Sequence, residues 1–244
     1  MYLALQIALL LAWVPLNVLI IAALLRGDYR RYPLILAYVV VEFLATAAEL
    51  PAYWAAYSHT PQSEDLRNLV YWLDEAVAQV LIYAVVIGLI YRATGKLRSR
   101  RLIRVCLTGG ALAFAAVSFG VHYAPGAKVG LWMTSWTRDL NFCSAVLDVV
   151  LWGLLIVSRE RDQRVLLLSG ALGIQFTGQA IGESLRQLAS QHHWYLLVNA
   201  GSVLVVVADL VRSYIWWRVF RTSESRIAGR TLPVHRASGE APQK

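Results

Sequence analysis

The sequence is short of charge, of lysine and of cysteine. Charged residues make up 16% of its 244 positions, where soluble domains carry about a quarter. Hydrophobic residues make up 58%, and the mean hydropathy is +0.52. A soluble fold of this length has too little interior for so much apolar surface, whereas lipid accepts it. The two cysteines, Cys106 and Cys143, sit inside apolar segments. No disulfide framework is expected, and both read as small core residues. None of the three lysines, Lys96, Lys128 and Lys244, lies in the middle of an apolar run, which excludes a retinal Schiff base. HExxH, GxSxG, a Walker loop and a dinucleotide fingerprint are all missing. No metal, cofactor or catalytic residue is therefore assigned.

What is present is a series of seven apolar stretches, near 2–25, 33–57, 68–91, 102–123, 139–158, 165–188 and 194–219. Each approaches the ~20 residues a helix needs to cross the hydrocarbon, and a spanning segment must satisfy its own backbone. The expected fold is all-α: a seven-transmembrane-helix bundle over 1–220, then a basic cytoplasmic tail over 221–244, disordered or lying on anionic headgroups. The first stretch lacks a basic start and is too long for a signal-peptide core, so it reads as an uncleaved helix.

The net charge of +8 points to membrane orientation rather than to nucleic acid, because the basic residues fall in short loops. Arg26, Arg30 and Arg31 share the first loop, and Arg92 to Arg104 the third. Arg159, Arg161 and Arg164 share the fifth, and the tail holds six more. Eighteen basic residues lie on that side against four on the other, Arg67, Lys128, Arg138 and Arg186. Positive loops stay in the cytoplasm, so the N-terminus is expected outside and the C-terminus inside, in a cytoplasmic (inner) membrane. Tyr53, Trp54, Trp194 and Tyr195 suit one interface, and Tyr214, Trp216 and Trp217 the other.

Ionisable groups in hydrocarbon cost ~2.5–3.5 kcal/mol each on the insertion scale, so they turn to a partner or a cavity. Here they form stripes at helical spacing. Glu49, Asp74, Glu75, Gln79, Asn141, Gln179, Glu183 and Asn199 are expected in the outer half, lining an outward-facing polar cavity. The alternative is hydrogen bonding between helices as packing glue. Glu42, Asp148, Asp209 and Arg212 are expected near mid-membrane, with Asp209 and Arg212 close enough to pair. The fourth stretch has no charge between Arg104 and His122, so more of it should face lipid. Gly178 and Gly182 form a GxxxG that allows close helix approach. His59, His122, His192 and His193 lack ligand spacing and read as ordinary outer-side histidines.

The segments RGDYRRYPLILAY (26–38) and YWLDEAVAQVLIYAVVIGLIYR (71–92) resemble those of a family of bacterial multi-pass membrane proteins of unknown function. The resemblance implies the multi-pass fold over most of 1–220 and carries no site residue. The leading expectation is a protein that binds a small ligand or a lipid from the outer side, as a sensor or a component of a membrane complex. A proton- or cation-coupled transporter or channel component, using Glu42, Asp148 and Asp209, is the second reading. An intramembrane enzyme using Glu75 or Glu183 as acid or base is the third. Membrane lipids are expected partners and nucleic acid is not; a homo-oligomer or a membrane partner stays open.

Overall fold

The structure is a computed structural model that describes the backbone of residues 2–57, 63–95, 100–123, 129–157, 162–191 and 194–228. Side chains are described over 12–48, 74–95, 101–123, 132–156, 162–189 and 194–222, except at 134, 187, 195 and 196. Among these residues there are seven α-helices and no strand. They are α1 (Tyr2–Ala23), α2 (Pro33–Tyr57), α3 (Ser63–Ala93), α4 (Arg100–His122), α5 (Val129–Val157), α6 (Gln163–Gln191) and α7 (Tyr195–Ala228). Each predicted stretch lies on one of them. Five segments are long and apolar enough to cross a membrane: Asp74–Ala93, Arg101–His122, Ser135–Ile156, Gln163–Arg186 and Leu197–Thr222. An apolar segment of α2, Pro33–Ala48, is shorter. An all-helical architecture with five such segments is compatible with a membrane protein.

Two helices outrun the sequence expectation the furthest. α5 begins ten residues earlier than its apolar run, because Trp132 and Trp136 pack edge-on against Phe119 of α4, with ring centroids 5.6 and 5.5 Å away. α7 continues to Ala228, into the stretch expected to be tail; residues 229–244 lie outside the described set.

The turn between α1 and α2 is short. α1 closes in a π-helical turn, Leu24–Asp28, and the Asp28 carbonyl accepts the N–H groups of Arg31 and Tyr32. Pro33 then opens α2 at a position that needs no N–H donor. Long-range contacts gather the basic ends. Arg164 pairs with Asp28 at 3.6 Å and Arg31 with Asp162 at 3.4 Å. Arg92 lies over the Tyr32 ring, and Tyr32 meets Phe220 edge-on. Arg104 donates to the Tyr91 carbonyl and to Thr94. The α1–α2 turn, the end of α3, the starts of α4 and α6, and the later part of α7 therefore share one end of the bundle.

α6 and α7 form the closest pair, and α3 packs between α2 and α5. The apolar core includes Ile20, Leu24, Ile35, Val39, Val86, Ile90, Leu151, Leu168, Leu172, Trp216 and Phe220. α4 is peripheral. Leu102, Val105, Leu112, Val117 and Val121 are each more than 60% exposed, which agrees with a helix that faces lipid.

Candidate functional site

The polar groups that come together lie between α2, α6 and α7. Arg212 of α7 is fully buried. Its Nη2 donates to both carboxylate oxygens of Glu42, at 2.9 and 2.8 Å, and to Ser213 Oγ at 3.3 Å. Its Nη1 donates to the Tyr38 hydroxyl. Tyr38, one turn before Glu42 on α2, passes its own proton towards Glu42 Oε1 at 2.6 Å. The three side chains thus close a ring of hydrogen bonds. The guanidinium lies beside two aromatic faces, 5.0 Å from the Tyr38 centroid and 5.2 Å from that of Trp216. Trp216 is held in turn by its indole N–H, which donates to the Leu168 carbonyl of α6 at 3.3 Å.

The expected Asp209–Arg212 contact takes a different form. Arg212 turns across the bundle to Glu42, and Asp209 is a charged neighbour of that pair within hydrogen-bonding reach of Gln175. Three buried atoms of this cluster have no hydrogen-bond partner among the described residues: Asp209 Oδ1, Gln175 Oε1 and Arg212 Nε. Buried polar atoms are nearly always paired, so three in one cluster mark it out. With both acids ionised, two carboxylates face one guanidinium. The rise of a helix places Glu42 ~13 Å along α2 from Pro33.

Asp148, another of the acids expected near mid-membrane, stands apart from that ring. It is buried on α5 and accepts from Ser169 of α6 at 2.6 Å. Gly173 makes room for it, since a Cβ there would sit 3.2 Å from Asp148 Oδ2.

The residues expected in the outer half do not form one described cluster. The Glu49 side chain lies outside the described residues. Asp74 and Glu75 are half-buried on α3 and each has an interaction. Gln79 Nε2 and Asn141 Oδ1 are buried without partners, on helices that pack together and that Tyr83 links through its 3.4 Å contact with Cys143. On α6 and α7, Gln179 is half-buried and Asn199 exposed. Glu183 is exposed and bonded to Arg186 at 2.7 Å.

At the end of α4, Ser118 and His122 both reach Asp139 Oδ2, at 2.7 and 3.0 Å. A nucleophilic triad needs the hydroxyl on the imidazole; here both converge on the carboxylate, which ties α4 to α5. His59, His192 and His193 lie outside the described residues. Among the described residues, no three His, Cys, Asp or Glu side chains group to hold a metal ion.

Sequence reasoning missed Tyr38 as a member of the ring and Trp216 as the aromatic face beside it. The available signal was spacing: Tyr38 precedes Glu42 by four, and Trp216 follows Arg212 by four, so each shares a helix face with its charged neighbour. Ser169 gave no signal beyond being a hydroxyl among apolar residues.

No family model matches the chain. No curated protein and no solved structure matches it either. The site therefore rests on its own geometry.

Proposed function

We propose that this chain is an integral membrane protein with seven crossings that binds a small cation or protonated amine between α2, α6 and α7, as a sensor or a component of a membrane complex. The carrying observation is the imbalance of the buried cluster: Glu42 and Asp209 share the single guanidinium of Arg212, and Asp209 Oδ1 and Gln175 Oε1 accept no hydrogen bond. An uncompensated buried carboxylate is costly, so a proton or a small cationic ligand completes the site. The meeting of the arginine-rich turns at one end supports a topology with that end in the cytoplasm and the N-terminus outside, in a cytoplasmic membrane.

The test is thermal unfolding of the purified protein in detergent, with small cations and amines titrated in. A ligand that binds only the folded state at a hundred times its Kd adds about 2.7 kcal/mol, a rise in Tm of roughly 5–10 °C for a chain of this size. Asp209→Asn should abolish the rise. A rise of the same size in Asp209→Asn, or none in the parent with any cation, overturns the reading.

The same surplus carboxylate favours a second reading, proton- or cation-coupled transport. In that case proteoliposomes should show flux that falls on Asp209→Asn.

A further inference from the structure

The basic end carries a feature that the ring around Arg212 does not use. A groove of about 260 Å³ lies between the start of α2 and the end of α3. Leu34 and Ile35 wall it on one side, and Val85, Gly88 and Leu89 on the other. Gly88 helps keep it open, since a Cβ there would come within 2.9 Å of Leu34 Cδ1. Arg31 and Arg92 line the same groove. The Arg92 guanidinium is fixed 4.2 Å over the Tyr32 ring, and that of Arg31 lies 5.7 Å from it.

Among the described residues the charge here is not balanced. Arg31, Arg92 and Arg164 all act on Tyr32. Arg31 is matched by Asp162 and Arg164 by Asp28. Among the described residues, Arg92 has no acidic partner. The first turn of α2 adds to the positive field, because the N–H groups of Leu34 and Ile35 have no carbonyl to reach within the helix. An apolar trough with one surplus guanidinium at its mouth suits a ligand that is oily along its length and anionic at one end. The volume falls below the ~300–1,000 Å³ of compact small-molecule pockets, and suits a single chain.

We propose that this groove holds one anionic phospholipid, one of its two acyl chains against Leu34, Val85 and Leu89 and its phosphate between Arg31 and Arg92. The surplus of one positive charge selects a headgroup of net charge −1 over a zwitterionic one. The site rests on the membrane reading above but not on the ring around Arg212.

The experiment is native mass spectrometry of the full chain, purified from membranes and exchanged into mixed micelles of phosphatidylglycerol and phosphatidylcholine. One retained phosphatidylglycerol is expected, held ~10-fold over phosphatidylcholine, the worth of one charge-assisted hydrogen bond. Arg92→Gln should lower retention by a similar factor. Arg221→Gln, which removes an arginine stacked on Trp217, should leave it unchanged. Gly88→Leu fills the apolar half with both guanidiniums intact and should also lower retention, so the test survives if Arg92→Gln fails to fold. Equal retention of the two lipids overturns the proposal, as does unchanged retention in Gly88→Leu. Displacement by millimolar inorganic phosphate alone also overturns it, in favour of a free-anion site. Carbonate extraction of the membranes separates the two levels: release of the chain sinks the membrane reading, whereas a retained chain without lipid preference sinks only this site.

Discussion

At the scale of single residues, the buried guanidinium of Arg212 dominates. Removing one member of a buried ion pair leaves the other charge without compensation, at a cost of about 3–5 kcal/mol. Arg212→Met should therefore lower Tm by roughly 10 °C or more. The double variant Glu42→Gln/Arg212→Met should recover part of that loss, because the Glu42 carboxylate no longer stands unpaired and only Asp209 remains; thermal melts of the parent and three variants complete the cycle. Tyr32 carries a separate prediction. Its hydroxyl is buried without a partner, and burial, ahead of the opposing pull of Arg31, raises the phenol above its ordinary value. The folded state therefore favours the protonated phenol. This contribution is complete below pH ~10 and is lost as pH climbs beyond it. Tyr32→Phe should match the parent at pH 7 and lose less stability in alkaline melts. An equal alkaline loss in both proteins would assign it to other groups.

At the scale of helices, the α6–α7 contact depends on absent side chains. A Cβ on Gly182 would lie 2.7 Å from the Gly201 carbonyl oxygen, and one on Gly201 would lie 2.5 Å from the Gly182 carbonyl oxygen. One turn away, a Cβ on Gly178 would collide with that of Ala208. The close approach read from GxxxG is thus made within the bundle, against α7. Gly182→Ala has to push two backbones apart and should cost about 1–3 kcal/mol, read as a drop in Tm. Gly110→Ala on α4, where a Cβ meets nothing within 4 Å, should be neutral or mildly stabilising. The number and order of the helices were legible in the sequence, because apolar runs of spanning length have few alternatives. Partner choice was not. Arg212 has Asp209 three residues away yet bonds Glu42, 170 residues distant, and nothing in one-dimensional spacing distinguishes those options. The early start of α5 was hidden for a similar reason: Arg138 and Asp139 look like the edge of a span, and only the rings of α4 show why the helix continues beyond them.

At the scale of the whole molecule, a cysteine placed at Gly27 should react with an impermeant maleimide only after the cytoplasmic face is opened, whereas one placed at Gly126 should react from outside. These reactions should be run in a background without Cys106 and Cys143. Reversed reactivity would invert the topology. The link between Glu42 and Arg212 also bears on how the chain is made. At ~5–20 residues per second, the ribosome needs roughly 10–35 s after Glu42 to supply the arginine. On the membrane reading, α2 carries during that interval an acid that the bilayer disfavours and that no later segment yet neutralises. The nascent chain must shelter α2 until α7 arrives. A stop codon placed before α7 should therefore yield a fragment cleared by membrane proteases far faster than the complete chain, and Glu42→Gln should prolong that fragment's lifetime.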